Sequence, residues 1–144
     1  MSCAFCEIPS IREREIARNE LAWAFPTNIP IVPGHILVAP IRCVATVDEM
    51  TEGELRAVFG LREQIKKALT QVFGAQGFNY AWNESRLAGQ SVPHFYLHIL
   101  PRKAGDTGIT QYEPRQFLYR PGERETSPEE ELLAVSLSIK NALQ

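Results

Sequence analysis

Residues 92–100, Val-Pro-His-Phe-Tyr-Leu-His-Ile-Leu, are rich in β-formers, and their side chains are set to point to alternate sides. Such a run predicts a strand. His94, Tyr96 and His98 then project from one face, while Phe95, Leu97 and Ile99 project from the other. The second set is apolar enough to bury, which leaves the first set as the face for chemistry. Just before it, Gly89-Gln90-Ser91 reads as a turn that offers amide and hydroxyl donors.

The same patterning sets out the other elements. Residues 16–17 and 21–25 predict two strands around a turn at Arg18-Asn19. Pro26, Pro30 and Pro33-Gly34 break the chain between Thr27 and Gly34 into a loop. A strand is predicted over 35–39. Thr51 and Glu54 form a capping box, and Leu55, Val58, Leu61, Ile65, Leu69 and Val72 then recur at helical spacing through Phe73. Arg62, Lys66 and Lys67 fall on the solvated side of that helix. Residues 77–83 read as a further strand, and the Gly- and Pro-punctuated stretch 105–124 as a long loop. Ser127-Pro128-Glu129-Glu130 predicts a second capping box, with proline at the first helical position. It opens a final helix carrying Leu132, Leu133, Leu137 and Ile139. About five mostly antiparallel strands with two main helices make an α+β class. Residues 1–144 contain no internal repeat and are expected to form a single domain.

Composition narrows the function classes. A hydrophobic content of 44%, a charged content of 22% and a net charge of -2 describe an ordinary globule. They give no electrostatic case for nucleic-acid or membrane partners. No apolar run reaches spanning length and the first residues lack a signal peptide's pattern, so a cytoplasmic location is expected. Three cysteines, an odd number, argue against a disulfide framework. Cys3-Ala4-Phe5-Cys6 stands before any clear secondary structure, and on its own reads as a zinc knuckle, a redox pair or two incidental thiols. Two histidines four apart on a strand, taken alone, are better explained by a buried edge strand whose imidazoles only satisfy their hydrogen bonds.

The context changes that balance. His94-Phe95-Tyr96-Leu97-His98-Ile99-Leu100 after Gly89-Gln90-Ser91 resembles the signature of the histidine triad (HIT) family of nucleotide hydrolases and transferases, with Tyr96 where the family has its middle histidine. Pro33-Gly34-His35-Ile36-Leu37-Val38 resembles a second family strand, and residues 101–106 resemble the fragile-histidine-triad branch. The likeness runs from about Cys3 to Asp106.

This resemblance implies the HIT fold and a pocket for purine nucleotides or other AMP-linked small molecules. It implies that His98 is catalytic and meets the nucleotide, that His35 is an accessory histidine that packs near the triad and helps orient it, and that Tyr96 stands at the nucleophile position. Thr27 and Asn28 would meet the ribose, Asn83 the sugar or phosphate, and Gln90 and Ser91 the α-phosphate. It further implies a structural zinc held by Cys3, Cys6, Cys43 and His94, which would account for every cysteine at once. Family members usually form homodimers through the long helix and a sheet edge. A phenol with an ordinary pKa near 10 is a poor substitute for an imidazole nucleophile. The expected activity is therefore an impaired hydrolase or transferase; the alternatives are a non-catalytic nucleotide sensor or interaction module that keeps fold and zinc, and a purely structural zinc domain.

Overall fold

The computed structural model describes residues 3–106 and 126–144. Its frame is a five-stranded sheet in the order β1-β2-β3-β5-β4, antiparallel at every pairing. The strands are β1 (Ala17–Arg18), β2 (Ala22–Pro26), β3 (Ile36–Pro40), β4 (Gly77–Ala81) and β5 (Leu97–Arg102). All five residues of β2 and of β3 are buried. Those strands are covered on both faces and run continuously apolar rather than alternating. The tight connection between β1 and β2 is made at Asn19, whose amide donates to the Ala22 carbonyl while its side-chain oxygen accepts from the Leu21 and Ala22 amides. This is the side-chain turn chemistry asparagine favours. It centres the turn on Glu20-Leu21, two residues beyond the Arg18-Asn19 expected from sequence.

One face of the sheet packs against α3 (Glu52–Phe73) and α4 (Glu129–Ala142). Phe95, Leu97, Ile99, Ile36 and Val38 meet Val58, Leu61, Ile65 and Leu69 there. α3 starts where the capping box places it: the Glu54 amide donates to Thr51 Oγ1, and the Thr51 amide donates to the Glu54 carboxylate. It stops at Gly74, in the left-handed region with φ of 66°.

The other face carries a second apolar cluster of Cys3, Phe5, Ile11, Trp23, Phe25, Leu37, Ala39 and Tyr96. It is covered by α1 (Ala4–Glu7) and α2 (Pro9–Glu13). Residues 4–7 and 9–13 are thus helical, whereas the sequence shows no clear secondary structure around Cys3 and Cys6. Helices this short are marginal alone. Burial of Phe5 and Ile11 is what holds them.

Two further expectations change. The strand predicted from Val92 enters the ladder only at Leu97. Pro93 has no amide to donate, and the His94 and Phe95 amides donate to Val92 and Val44 carbonyls instead. The alternation nonetheless survives, since Phe95 lies in the α3-side cluster and Tyr96 in the other. The capping box at Ser127 is not formed: Pro128, with ψ of 146°, is the residue flanking α4, and no side chain caps it. The Ser127 amide goes to the Asn28 carbonyl at 2.6 Å, tying the start of α4 to the loop after β2. On α4, Leu132 and Ile139 are buried, but Leu133 and Leu137 are exposed. The long loop expected over 105–124 lies almost wholly outside the described residues. Among the described residues, no helix is long and apolar enough to cross a membrane.

Candidate functional site

Two clusters lie on the α1–α2 face, joined through Phe5. Its ring meets His94 and Tyr96 edge-on, at centroid distances of 5.5 and 5.2 Å. Tyr96 in turn meets His98 at 5.1 Å. The three rings of the alternating segment therefore share one side of the sheet.

The first cluster is a candidate metal centre. One ligand-capable atom from each of Cys3, Cys6, Cys43 and His94 falls within 4.8 Å of all the others. His94 Nδ1 stands 3.2 Å from Cys3 Sγ and 3.7 Å from Cys6 Sγ. A tetrahedral zinc with sulfur at about 2.3 Å and nitrogen at about 2.0 Å needs donor separations of about 3.5–3.8 Å. The donor set therefore fits the ion in chemistry, and its separations of up to 4.8 Å come within about an ångström of that spacing. His94 Nε2–H donates to the Pro40 carbonyl at 2.6 Å, which fixes the tautomer and leaves the Nδ1 lone pair facing the thiols. Burial holds the His94 pKa below its ordinary value, against the opposing pull of that hydrogen bond, which keeps the ring a neutral ligand. Two of the thiols, Cys43 and Cys6, resist ionisation. Desolvation first, then the neighbouring Cys3 and Cys6, push Cys43 up to about 12. Desolvation and then Cys3 raise Cys6 in the same way.

The second cluster lines a cavity of about 230 Å³. Polar groups supplied by Thr27, Asn28, His35, Asn83, Ser91, Tyr96 and His98 share its wall with apolar Phe5, Ile8, Ile11, Phe25, Ile29 and Leu37. His35 sits just ahead of β3. Its Nδ1 accepts the Ile31 amide at 3.1 Å, so a neutral ring carries its proton on Nε2. Nε2 lies 2.9 Å from His98 Nδ1 and donates to it. His98, when neutral, then holds its own proton on Nε2. The main chain thus sets the tautomers of two histidines in series, and the second presents an N–H donor.

Gly34 is what allows His35 to stand there. Its φ is +89°, and a Cβ would lie 3.0 Å from Pro101 and 3.1 Å from Phe73. Only glycine combines that conformation with that approach.

The donors of the Gly-Gln-Ser turn are largely spoken for. Tyr96 Oη accepts the Ser91 amide at 3.2 Å and shares a hydrogen bond with Ser91 Oγ at 2.9 Å. Gln90 is buried and does not line the cavity. Its amide donates to the Ala45 carbonyl and accepts from the Ser85 amide, bracing the turn from behind. Thr27 is buried and its Oγ1 accepts the Ile29 amide, whereas Asn28 is exposed on the same loop.

Two cavity residues escaped the sequence reading. Arg14 is 4% exposed; its Nε donates to the Pro26 carbonyl and its Nη1 to Glu129 of α4 at 2.8 Å. The two partners lie 115 positions apart, and no local pattern connects them.

The HIT domain family model matches residues 9–105. The chain belongs to the HIT family. An uncharacterised HIT-like protein of Mycoplasma genitalium is 41% identical over 103 residues, covering 70% of this chain and 73% of the relative. The bis(5'-adenosyl)-triphosphatase of Dictyostelium discoideum is 33% identical over 119 residues, covering 82% and 76%. Among solved structures, a zinc-bound histidine triad family protein from Mycobacterium smegmatis superposes with a TM-score of 0.73 at 23% identity, covering 99% of this chain and 94% of the other. The five-stranded antiparallel sheet flanked by helices is the HIT fold.

Proposed function

We propose that this HIT protein binds a purine nucleotide or an AMP-linked ester in the cavity, and that Tyr96 makes it a poor catalyst for cleavage at the α-phosphate. The observation that carries this reading is the convergence of His98, Tyr96 and Ser91 on one cavity that also offers apolar surface. An apolar lining with a few convergent polar groups suits a base attached to a phosphate. Relatives named as dinucleoside polyphosphate hydrolases support the same substrate class. Ser91 and His98 would hold the phosphate, and Thr27, Asn28 and Asn83 the sugar. Gln90 would act by positioning Ser91. His98 would donate its Nε2 proton to a phosphate oxygen or the leaving group, with His35 orienting it.

Tyr96 stands where attack on phosphorus is required. A phenol attacks slowly at neutral pH, and its aryl phosphodiester lacks the easy breakdown of a protonated phosphoimidazole. A non-catalytic nucleotide sensor is the second reading, favoured by the Tyr96 hydroxyl already engaging both the amide and the hydroxyl of Ser91.

Zinc would sit among Cys3, Cys6, Cys43 and His94, where it supplies cross-linking of α1 to the sheet rather than reaction chemistry. Residues 1–144 would act as one domain, and two copies would pair. β4 is a sheet edge carrying exposed Tyr80, with exposed Trp82 just beyond it and Phe59 on α3.

The deciding experiment is a thermal-shift series with AMP, GMP and diadenosine polyphosphates, followed by hydrolysis assays of the native chain and Tyr96→His. Binding by both, with turnover rising on the order of a thousandfold or more in Tyr96→His, is the expected outcome. Binding by both with no gain in Tyr96→His favours the sensor. Absence of nucleotide binding rejects both readings.

A further inference from the structure

Arg14 is nearly sealed from solvent, yet its guanidinium is not fully used. Nε and Nη1 are committed to Pro26 and Glu129, while Nη2 donates to nothing among the described residues. Glu129 is similarly half-engaged: one carboxylate oxygen accepts from Arg14 at 2.8 Å, and the other accepts nothing among the described residues. Both residues line the cavity. Ser10, Ile11 and Arg14, three and four positions apart, place one side of the α2 turn against it.

The pair is held rigidly. Ser136 of α4 donates to the Arg14 carbonyl at 2.8 Å, and the Ser127 amide donates to the Asn28 carbonyl at 2.6 Å. α4 is therefore fastened to the cavity at three points, one of them the ion pair itself. Buried N–H groups without an acceptor are costly, and among the described residues Nη2 has none, so this wall can take an acceptor from a ligand. Phosphate is the wrong acceptor here, because the adjacent carboxylate cancels the guanidinium charge and repels an anion. A neutral group with an acceptor beside a donor is the right one.

We propose that Arg14 and Glu129 read the hydrogen-bonding edge of the nucleobase, Nη2 donating to a ring acceptor and the second carboxylate oxygen accepting from the neighbouring N–H. N1 with the 6-amino group of adenine, or O6 with N1–H of guanine, presents that pair. The proposal rests on the nucleotide reading above and refines it. The family match ends at residue 105, so Glu129 adds a base-reading element from outside the matched domain.

The test is isothermal titration of the native chain, Arg14→Met and Glu129→Ala with four ligands: AMP, GMP, purine riboside 5'-monophosphate, which lacks the exocyclic group, and ribose 5-phosphate. In the native chain, the better of AMP and GMP is expected to bind about tenfold tighter than the purine riboside analogue, as for one well-made polar contact. Both variants should bind ribose 5-phosphate as the native chain does and lose the preference for AMP or GMP, and Glu129→Ala should also bind the analogue as the native chain does. Glu129 is half-exposed, so Glu129→Ala is the variant expected to fold normally, with a melting curve as the check. Native discrimination that persists in Glu129→Ala overturns the proposal. So does an equal loss of ribose 5-phosphate, which would make the pair only a brace for the cavity. A native chain that binds ribose 5-phosphate and nucleotides equally overturns base reading but leaves the phosphate site standing; one that binds none of the four overturns the nucleotide reading itself.

Discussion

Tyr96 Oη occupies the polar groups of Ser91, accepting its amide at 3.2 Å and sharing a hydrogen bond with its hydroxyl at 2.9 Å. A phosphate that uses Ser91 must first displace that hydroxyl. Tyr96→Phe keeps the ring against Phe5 and His98 but removes the competitor. AMP is expected to bind about three- to tenfold tighter to Tyr96→Phe than to the native chain, with adenosine unchanged, as for one hydrogen bond of about 0.5–1.5 kcal/mol. Calorimetric titration of the two ligands checks this. Weaker AMP binding in Tyr96→Phe would make the hydroxyl a ligand contact rather than a competitor.

The thiol cluster makes a prediction about protons. Without a cation, Cys43 is pushed up to about 12 and Cys6 is also raised, so both are thiols at neutral pH. Zinc ligation requires thiolates, and the apparent affinity must fall as pH drops. Titrating zinc into metal-free protein in buffers of different ionisation enthalpy should show release of at least the two protons from Cys6 and Cys43. Cys43→Ser should lower zinc content on elemental analysis and also the melting temperature. Near-zero zinc in native protein purified without chelators would return the cysteines to ordinary buried or spare thiols.

Glu54 links the start of α3 to the loop after β3. Its carboxylate takes Arg42 Nε at 3.0 Å, Arg42 Nη2 at 2.8 Å and the Thr51 amide at 2.9 Å, although the residue is only 3% exposed. The hydrogen-bonded Arg42 guanidinium is the main cause that holds its pKa below the usual carboxylate value, with burial opposing. A depressed native pKa stabilises the fold at pH values above the unfolded pKa, and that stability is lost as pH falls through the native one. Glu54→Gln should therefore cost about 1–2 kcal/mol near pH 7. Arg42 is exposed, which keeps the figure at the low end for a charged pair. The deficit should shrink below about pH 4.5, as denaturant unfolding at several pH values will show. A deficit independent of pH would assign the cost to packing.

Much of this was legible because the decisive signals are local. Alternation placed His94, Tyr96 and His98 together although the first two of the three lie outside the ladder, since the pleat continues where the hydrogen bonds do not. Thr51 and Glu54, three apart, carry a complete cap within four residues. The failures are long-range. The Ser127 side chain fits a capping box, but its backbone is drawn to Asn28 and the helix starts beyond it. α1 and α2 exist through the burial of Phe5 and Ile11 against a sheet that no short window contains. Arg14 reads as one more charge in a basic and acidic run until α4 brings Glu129 to it.

Gly34 offers the most direct link between fold and site, because it precedes His35 and carries a backbone conformation that L residues rarely adopt. Gly34→Ala must accept φ near +89° and place a methyl group 3.0–3.1 Å from Pro101 and the Phe73 ring. Left-handed strain costs about 1 kcal/mol and overpacking about 1–3 kcal/mol. Phe73 ends α3 and Pro101 lies within β5, so the methyl group would have to be accommodated by shifting a ring and a prolyl side chain anchored in those elements. A loss of about 2–4 kcal/mol is expected in equilibrium unfolding. The relay from Ile31 through His35 to His98 should loosen with it, which imidazole NMR would detect as a changed tautomer ratio at His98. Unaltered His98 resonances in a destabilised Gly34→Ala would mean that β3 and β5 hold His35 and His98 in register without help from the turn before them.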